Sequence, residues 1–231
     1  MKRLLVFMVA IAASFSMLAQ ENDKNINKET RNIKEFDKIK VTRGINVTLI
    51  KGEEPKAEIN IVNAPASDVI IENDQNELEV KMRTRIYDDV SVQVYVTYTK
   101  DVREITLGSG GSIDNEGVMT GKILVLDSGL DSVIDLNVDM EDIEASVSAA
   151  RITMEGYVKS LEVKASTGGK FQGQNLEAKK AYVTANTGGI VTVKASELLN
   201  AKAATGGTVE YLGEPQKLDV KETFGGNVEK I

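Results

Sequence analysis

The side chains with the clearest potential for chemistry are carboxylates in the middle of the sequence. They fall into two groups: Asp127, Asp131 and Asp135 around Ser128-Gly129, and then Asp139, Glu141, Asp142 and Glu144. Carboxylate oxygens are the ligands that calcium prefers. The aspartates do not recur in later parts of the chain, however, and solvated loops explain them more simply. We therefore predict no metal site and no bound cofactor.

Two missing residue types narrow the chemistry further. The 231-residue chain has neither histidine nor cysteine. Ser-His-Asp and Cys-His nucleophilic sites are therefore excluded, and so are the usual zinc ligand sets. The paired glycines lack the following helix and lysine that a phosphate-binding loop needs. We predict that the protein has no catalytic residues and is not an enzyme.

A carbohydrate-cleaving enzyme, either a polysaccharide lyase or a hydrolase, is the alternative that stays open. Such an enzyme needs paired carboxylates or a basic residue in a groove, together with aromatic platforms for sugar rings. The chain has no tryptophan, and Tyr157, Tyr182 and Tyr211 fall at different phases of the repeat described next.

A pair of residues, both small except in Gly129-Leu130, returns at a nearly constant interval along the C-terminal part of the chain. The first residues of these pairs are 110, 129, 149, 168, 188, 206 and 225, so the steps are 18 to 20 residues. A period this regular is typical of a stacked repeat. The predicted corner residues are Gly110, Gly111, Gly129, Ala149, Gly168, Gly169, Gly188, Gly189, Gly206, Gly207, Gly225 and Gly226.

The residues around each corner alternate between apolar and polar, as Leu161, Val163 and Ala165 do before Gly168-Gly169. This pattern predicts two short strands that meet at the corner, with a polar return segment completing each rung. Glycine suits a corner because the chain turns there with positive φ. The alanine and threonine beside each corner are expected to be small core residues. The Ala149-Ala150 corner is expected either to bend differently or to bear some strain.

The chain before residue 99 has alternating strands but no echo of the 19-residue period. Val90, Val92, Val94 and Val96 form its clearest strand. The predicted fold is therefore all-β: a parallel β-helix, or solenoid, of about 19-residue rungs, with a β-rich N-terminal cap. We assign residues 35–98 to the cap and first turns, residues 99–231 to regular rungs, and all of 35–231 to one domain.

The first residues have the layout of a secretory signal peptide. Lys2 and Arg3 precede an apolar run that is too short to span a bilayer, and we expect cleavage after Ala19. Residues 20–34 are polar and predict a flexible lead-in. Removing residues 1–19 takes away two basic residues and no acidic ones, so the net charge changes from −7 to −9. This charge disfavours binding to nucleic acid or anionic lipid.

Gly44-Ile45-Asn46 lies inside an alternating strand, and the glycine corners follow a signal peptide and an alternating half. With these features the sequence resembles the head GIN domain family over roughly residues 35–231. Members are exported bacterial proteins that are labelled auto-transporter adhesins. The resemblance implies a right-handed parallel β-helix-like fold and an adhesive or surface role, and it supplies no catalytic residues.

We predict a periplasmic or secreted protein, without a cysteine for a lipoprotein anchor, that acts as a binding or structural module. A ladder of small side chains beside the corners (Ser166, Asn186 and Ala204) is its expected contact surface. The expected partner is a protein or glycan of the cell envelope, with no nucleic acid and no membrane insertion. The last rung, around Val220 to Ile231, either docks with a second copy to give a homodimer or is protected by its charges. An end-to-end polymerising scaffold is a further alternative.

Overall fold

The computed structural model describes residues 26–42 and 44–231, and its architecture in that part of the chain is all-β. Seventeen strands form one continuous sheet that coils into a solenoid of about seven turns with rungs of roughly 19 residues. The predicted solenoid is confirmed. Apart from strands, the only regular element among the described residues is one short 3₁₀ turn, Ala66–Asp68. The predicted signal peptide and cleavage site lie outside the described residues.

The regular rungs are stacked in parallel, each on the one before. Ile134 pairs with Ile152, and Ile152 pairs with Phe171, so strand partners are 18 and 19 residues apart. The strands that build this part are β10 (Met119–Ser128), β11 (Val133–Ser148), β12 (Arg151–Ser166), β13 (Lys170–Asn186), β14 (Ile190–Ala204), β15 (Thr208–Leu212), β16 (Lys217–Thr223) and β17 (Asn227–Lys230).

The predicted division of each rung into two short strands and a polar return segment is wrong for the central rungs. Strands β11 to β14 each run for 15 to 17 residues and bend without leaving the sheet. The polar residues at the bend stay extended because their backbone groups pair with the neighbouring rungs, as Tyr157 does with Asp139 and Glu177. A polar side chain therefore marks the bend without ending the strand.

The core of the solenoid consists of inward-facing side chains that stack in columns. One column contains Ile134, Ile152, Phe171, Val191 and Val209, all essentially inaccessible to solvent. Each large apolar side chain buried in this way contributes about 1.5–3 kcal/mol. The core continues without a break from Phe36 to Val209.

The N-terminal half forms rungs in an order that differs from the order of the sequence. Strands β2 and β3 pair in parallel with β6 and β7 on one side and with β8 and β9 on the other. The first rung in the sequence is thus the second layer of the stack. The strands are β2 (Lys38–Val41), β3 (Asn46–Lys51), β6 (Glu77–Met82), β7 (Ser91–Tyr98), β8 (Glu104–Leu107) and β9 (Ser112–Asn115).

Antiparallel strands cover the N-terminal end of the stack. Strand β4 (Lys56–Val62) pairs with β7, β1 (Ile26–Asn32) pairs with β4, and β5 (Val69–Asp74) pairs with β6. The flexible lead-in predicted for residues 20–34 is therefore wrong over 26–32. A polar segment forms an edge strand here because backbone hydrogen bonds to β4 hold it, which requires no apolar alternation.

A buried carboxylate joins three segments near this end. Asp37 is almost fully buried, and its Oδ2 accepts from the largely exposed Arg103 guanidinium. The backbone N–H of Asp37 donates to Asn76 O at 3.0 Å, and Asp37 O accepts from the Arg103 N–H at 2.7 Å. This residue thus ties the starts of β2 and β8 to the turn between β5 and β6.

We expect Arg103→Ala to lower the free energy of unfolding by about 2 kcal/mol, because a buried carboxylate would lose its charged partner. Urea denaturation of both proteins measures the difference. Lys38→Ala is the matched control, since it removes only the solvent-exposed ion pair with Glu104 and should cost a few tenths of a kcal/mol. Equal losses for the two variants would contradict the structural role of the Asp37 pair.

The C-terminal end of the stack is open. Strand β16 pairs only with β14 and β17 only with β15, and no strand of the described chain lies on their outer edges. Leu218 and Val220 continue two core columns but are 46% and 42% exposed, whereas Leu199 and Ala201 directly before them are fully buried.

Candidate functional site

The predicted corner residues lie along one edge of the solenoid. Successive corners are joined by backbone hydrogen bonds: Gly110 N donates to Leu130 O, Asp131 N to Ala149 O, Gly168 N to Thr187 O, and Gly188 N to Thr205 O, at 2.9–3.2 Å. Gly44 belongs to the same edge, because a β-carbon placed on it would lie 3.6 Å from Gly110 O. The corners therefore form a ladder of their own.

Four corners are tight turns with two central residues at positive φ. At the first of them Thr167 has φ +53° and Gly168 has φ +73°, and Gly169 N donates to Ser166 O at 2.8 Å. This is the type I′ geometry. The other three corners centre on Thr187-Gly188, Thr205-Gly206 and Phe224-Gly225. The prediction that the threonines beside the corners are core residues is wrong. Thr167, Thr187 and Thr205 are exposed, because the positive φ of the turn directs their side chains into solvent.

The second glycine of each pair serves a different purpose from the first. Gly169, Gly189 and Gly207 do not have positive φ, but they pass close to the backbone of the preceding rung. A β-carbon on Gly189 would lie 2.6 Å from Ala165 O. The first glycine of each pair is therefore required because φ is positive there. The second is required because a side chain would collide with a backbone carbonyl of the preceding rung.

The earlier corners have other turns. At Gly129 the positive φ falls on Asp131, and Ser132 N donates to Gly129 O. At the Ala149-Ala150 corner only Ala149 has positive φ, at +49°. Ser148 pairs with Ser166, and Arg151 pairs with Lys170. Two residues therefore form this corner, whereas three form the next one.

The predicted contact ladder lies directly beside the corners. Ser166 pairs in register with Ser148, and Ala204 pairs with Asn186 and Thr223. Ser166, Asn186 and Ala204 are all half-buried. Their side chains form a shallow strip without charged groups, and nothing in its geometry assigns a ligand to it.

The structure separates the acidic residues that could have bound calcium. Asp127 pairs with Ser146, Asp135 pairs with Asp114 and Thr153, and Asp131 lies at a corner between them. No group of three or more carboxylates in the described residues is arranged to hold a metal ion.

A concave site, which we call the return groove, lies at the bend of the last rungs. It has a volume of about 240 Å³ and is lined mainly by apolar atoms. The residues that form it are Tyr157, Glu177, Ala178, Lys179, Lys194, Ala195, Ser196, Gly213 and Glu214. Three other surface depressions in the described part of the chain have more polar linings.

The return groove arises where the ladder between β13 and β14 is irregular. Pairing jumps from Gly173–Val193 to Glu177–Lys194, so three residues of β13 have no partner in β14. One further residue of β13 then faces two of β14, Ser196 and Glu197. Bulges of this kind re-aim side chains and often lie next to binding sites. The unequal lengths of these rungs thus coincide with the position of the groove.

Charged pairs line the rim of the return groove. Lys194 Nζ lies 2.8 Å from Glu177 Oε1, and Lys230 pairs with Glu214. The hydrogen bond from Lys194, together with its positive charge, lowers the pKa of Glu177 below the ordinary value. Glu177 is therefore ionised at neutral pH and holds the lysine at the rim.

Gly44-Ile45-Asn46 has a structural explanation in this fold. Gly44 has φ +66° at the corner edge, and Ile45 is completely buried. Asn46 Oδ1 accepts from Ser112 Oγ at 2.7 Å in the next layer. The segment therefore joins the corner, the core and the layer above it.

Sequence reasoning missed the return groove, although a signal was present. The three tyrosines have three different environments: Tyr157 lines the groove, Tyr182 is exposed and does not line it, and Tyr211 packs against the core. The step of 20 residues from Gly168 to Gly188 is followed by one of 18 to Gly206. The difference in length between these two successive rungs indicates where the groove lies.

Comparison with known proteins gives a family and a fold. The family model described as "Putative auto-transporter adhesin, head GIN domain" matches residues 35–215. Among curated proteins, none matches the chain significantly. No helix within the described residues is long and apolar enough to cross a membrane.

Solved structures share the fold at low sequence identity. A putative adhesin from Bacteroides fragilis is 17% identical with a TM-score of 0.80, and the match covers 90% of this chain and 98% of that one. A putative adhesin from Parabacteroides merdae is 16% identical, with a TM-score of 0.71 and coverage of 91% and 97%. A protein named as a putative lipid binding protein, from Parabacteroides distasonis, is 16% identical, with a TM-score of 0.67 and coverage of 90% and 98%.

Proposed function

Because the chain belongs to the head GIN domain family, we propose that it is an adhesin-like binding module of the cell envelope or extracellular space and that it is not an enzyme. The return groove is the observation that supports this role most directly. It is a concave, mainly apolar site on the rigid flank of a stacked sheet, where side chains are fixed by the rungs on either side. The expected partner is a protein or glycan of the envelope.

The groove lacks the carboxylate arrangement that glycoside hydrolysis requires. Its two carboxylates, Glu177 and Glu214, are each paired with a lysine. A hydrolase of this kind needs one carboxyl group to be protonated as the acid while the other stays ionised. The lysine at Glu177 lowers the pKa of that carboxyl group, which is unsuitable for a general acid.

Immobilised glycans and isolated envelope fractions test this function. We expect saturable binding of the purified chain to at least one of them, with no release of reducing ends or unsaturated sugars from the same glycans. Release of either product would establish the carbohydrate-active alternative. Binding to none of the glycans or fractions would contradict an adhesin-like role.

Export is part of the same proposal, since a module of this kind must reach the envelope. The signal-peptide pattern of residues 1–19 supports it. Cell fractionation followed by N-terminal sequencing should find the chain outside the cytoplasm and beginning near Gln20. A cytoplasmic chain that retains Met1 would contradict export.

A further inference from the structure

The return groove has room for one ring-sized ligand. Its volume of about 240 Å³ lies below the roughly 300–1,000 Å³ of most small-molecule pockets. The groove is also open along one side, so an occupant would keep part of its surface in solvent. Such a site suits one residue of a longer chain better than a separate, enclosed ligand.

The lining of the groove is mainly apolar. At its base, or floor, Ala178 and Ala195 pair with each other across neighbouring rungs, and both are buried in the core. Tyr157 lies one rung earlier, where it pairs with Glu177, and it is half-buried. A tyrosine there combines an apolar ring face with a hydroxyl group that can donate or accept. A ligand with one apolar face and a polar edge would match this floor.

The rim supplies hydrogen-bonding groups whose carboxylates already have partners. Two glutamates and two lysines line the groove: Glu177, Glu214, Lys179 and Lys194. Glu177 is paired with Lys194 and Glu214 with Lys230, while Lys179 adds one positive charge. Carboxylates accept and ammonium groups donate, so both halves of a hydroxyl group can be satisfied. Because each carboxylate already has a cationic partner, the rim does not require a charged ligand.

An acyl chain fits this lining less well. It would cover the apolar floor but would also displace water from the charged groups at the rim without replacing their hydrogen bonds. That desolvation is costly. A sugar ring avoids the cost, because its C–H face covers the floor while its hydroxyl groups meet the rim.

We propose that the return groove binds a neutral sugar ring, as an end or branch residue of a glycan; this assignment rests on the binding role proposed above. Tyr157 stacks against the ring, and Glu177 with Lys194 orients its hydroxyl groups.

Saturation-transfer NMR on the full chain tests the proposal with the methyl glycosides of glucose, galactose, mannose and N-acetylglucosamine. We expect transfer to the ring C–H protons of at least one glycoside. Tyr157→Ala should weaken its binding about fivefold, since a stacking contact is worth about one kcal/mol. Tyr182→Ala is the matched control: that tyrosine is 42% exposed and does not line the groove, so its loss should leave binding unchanged.

Glu177→Gln provides a second variant that keeps the shape of the rim and removes one charge, and it should also weaken binding. Circular dichroism confirms that each variant is folded. The proposal is overturned if no glycoside shows transfer, if Tyr157→Ala and Tyr182→Ala behave alike, or if dodecanoate binds the groove and the glycosides do not. Glycan or envelope binding that survives in Tyr157→Ala would overturn this assignment and leave the adhesin-like role intact.

Discussion

Replacing Gly207 with alanine is expected to lower the free energy of unfolding by about 3 kcal/mol. The added β-carbon would lie within 2.5 Å of the carbonyl carbon of Ala185 in the preceding rung, a separation that forces the backbone to shift. Rungs cannot separate locally without breaking the ladder on both sides, so the strain has little room to relax. Urea denaturation with a two-state fit measures the loss.

Gly206→Ala is the matched control, because it makes the same chemical change at the adjacent residue. Gly206 has φ +72°, and a β-carbon there would meet nothing within 4 Å. The left-handed conformation alone should cost about 1 kcal/mol. Ala149 already adopts φ +49° in the native chain, which shows that alanine is accepted in this region. If Gly206→Ala proved more damaging than Gly207→Ala, the separation of the two glycine roles would be wrong.

Replacing Glu222 with alanine is expected to convert the protein into a self-associating one. Glu222 pairs with Ala203 and so occupies the inward column that alanine fills one rung earlier. Its Oε1 accepts from Val228 N at 2.6 Å. Asn227 N donates to Gly207 O, so the N–H of Val228 points to the free edge of β17. Glu222 therefore places a negative charge at the open end and accepts a hydrogen bond from a backbone N–H that would otherwise be free at the edge.

Inward-pointing charges are a known means of preventing sheet edges from pairing. Without Glu222, the end would present Leu218, Val220 and Val228 beside two unpaired strand edges. Sedimentation velocity should show the native chain as a monomer and Glu222→Ala as dimers or larger species whose amount rises with concentration. Glu229→Ala, an exposed outward residue of β17, should stay monomeric. A native dimer through the last rung would instead establish docking, and a monomeric Glu222→Ala would show that other charges protect the end.

Much of the solenoid could be predicted because its information is local. The small-residue pairs mark the turns, and residues such as Leu161, Val163 and Ala165 alternate within a single strand, so both period and core follow from neighbouring residues. The prediction that Thr167 lies in the core is wrong because the apolar–polar alternation of the strand does not continue into the turn. There φ is positive, and the side chain points to the opposite side.

Other features depend on contacts that a periodic pattern does not contain. Strand β1 is polar and forms only because β4 offers a free edge. The return groove depends on how residues 174–176 bulge against a shorter neighbouring rung. Its residues Tyr157, Lys194 and Glu214 lie on three rungs, and only the stacked register brings them together.

The interleaved layers of the N-terminal half bear on the order in which the chain folds. Strand β12 can pair with β13 as soon as about 19 further residues are available. Strands β2 and β3, in contrast, need partners on both sides that come from β6 to β9, much later in the sequence. Contacts of greater sequence separation form more slowly. We therefore expect the C-terminal coils to nucleate, and the segment that is synthesised first to be among the last to reach its native place.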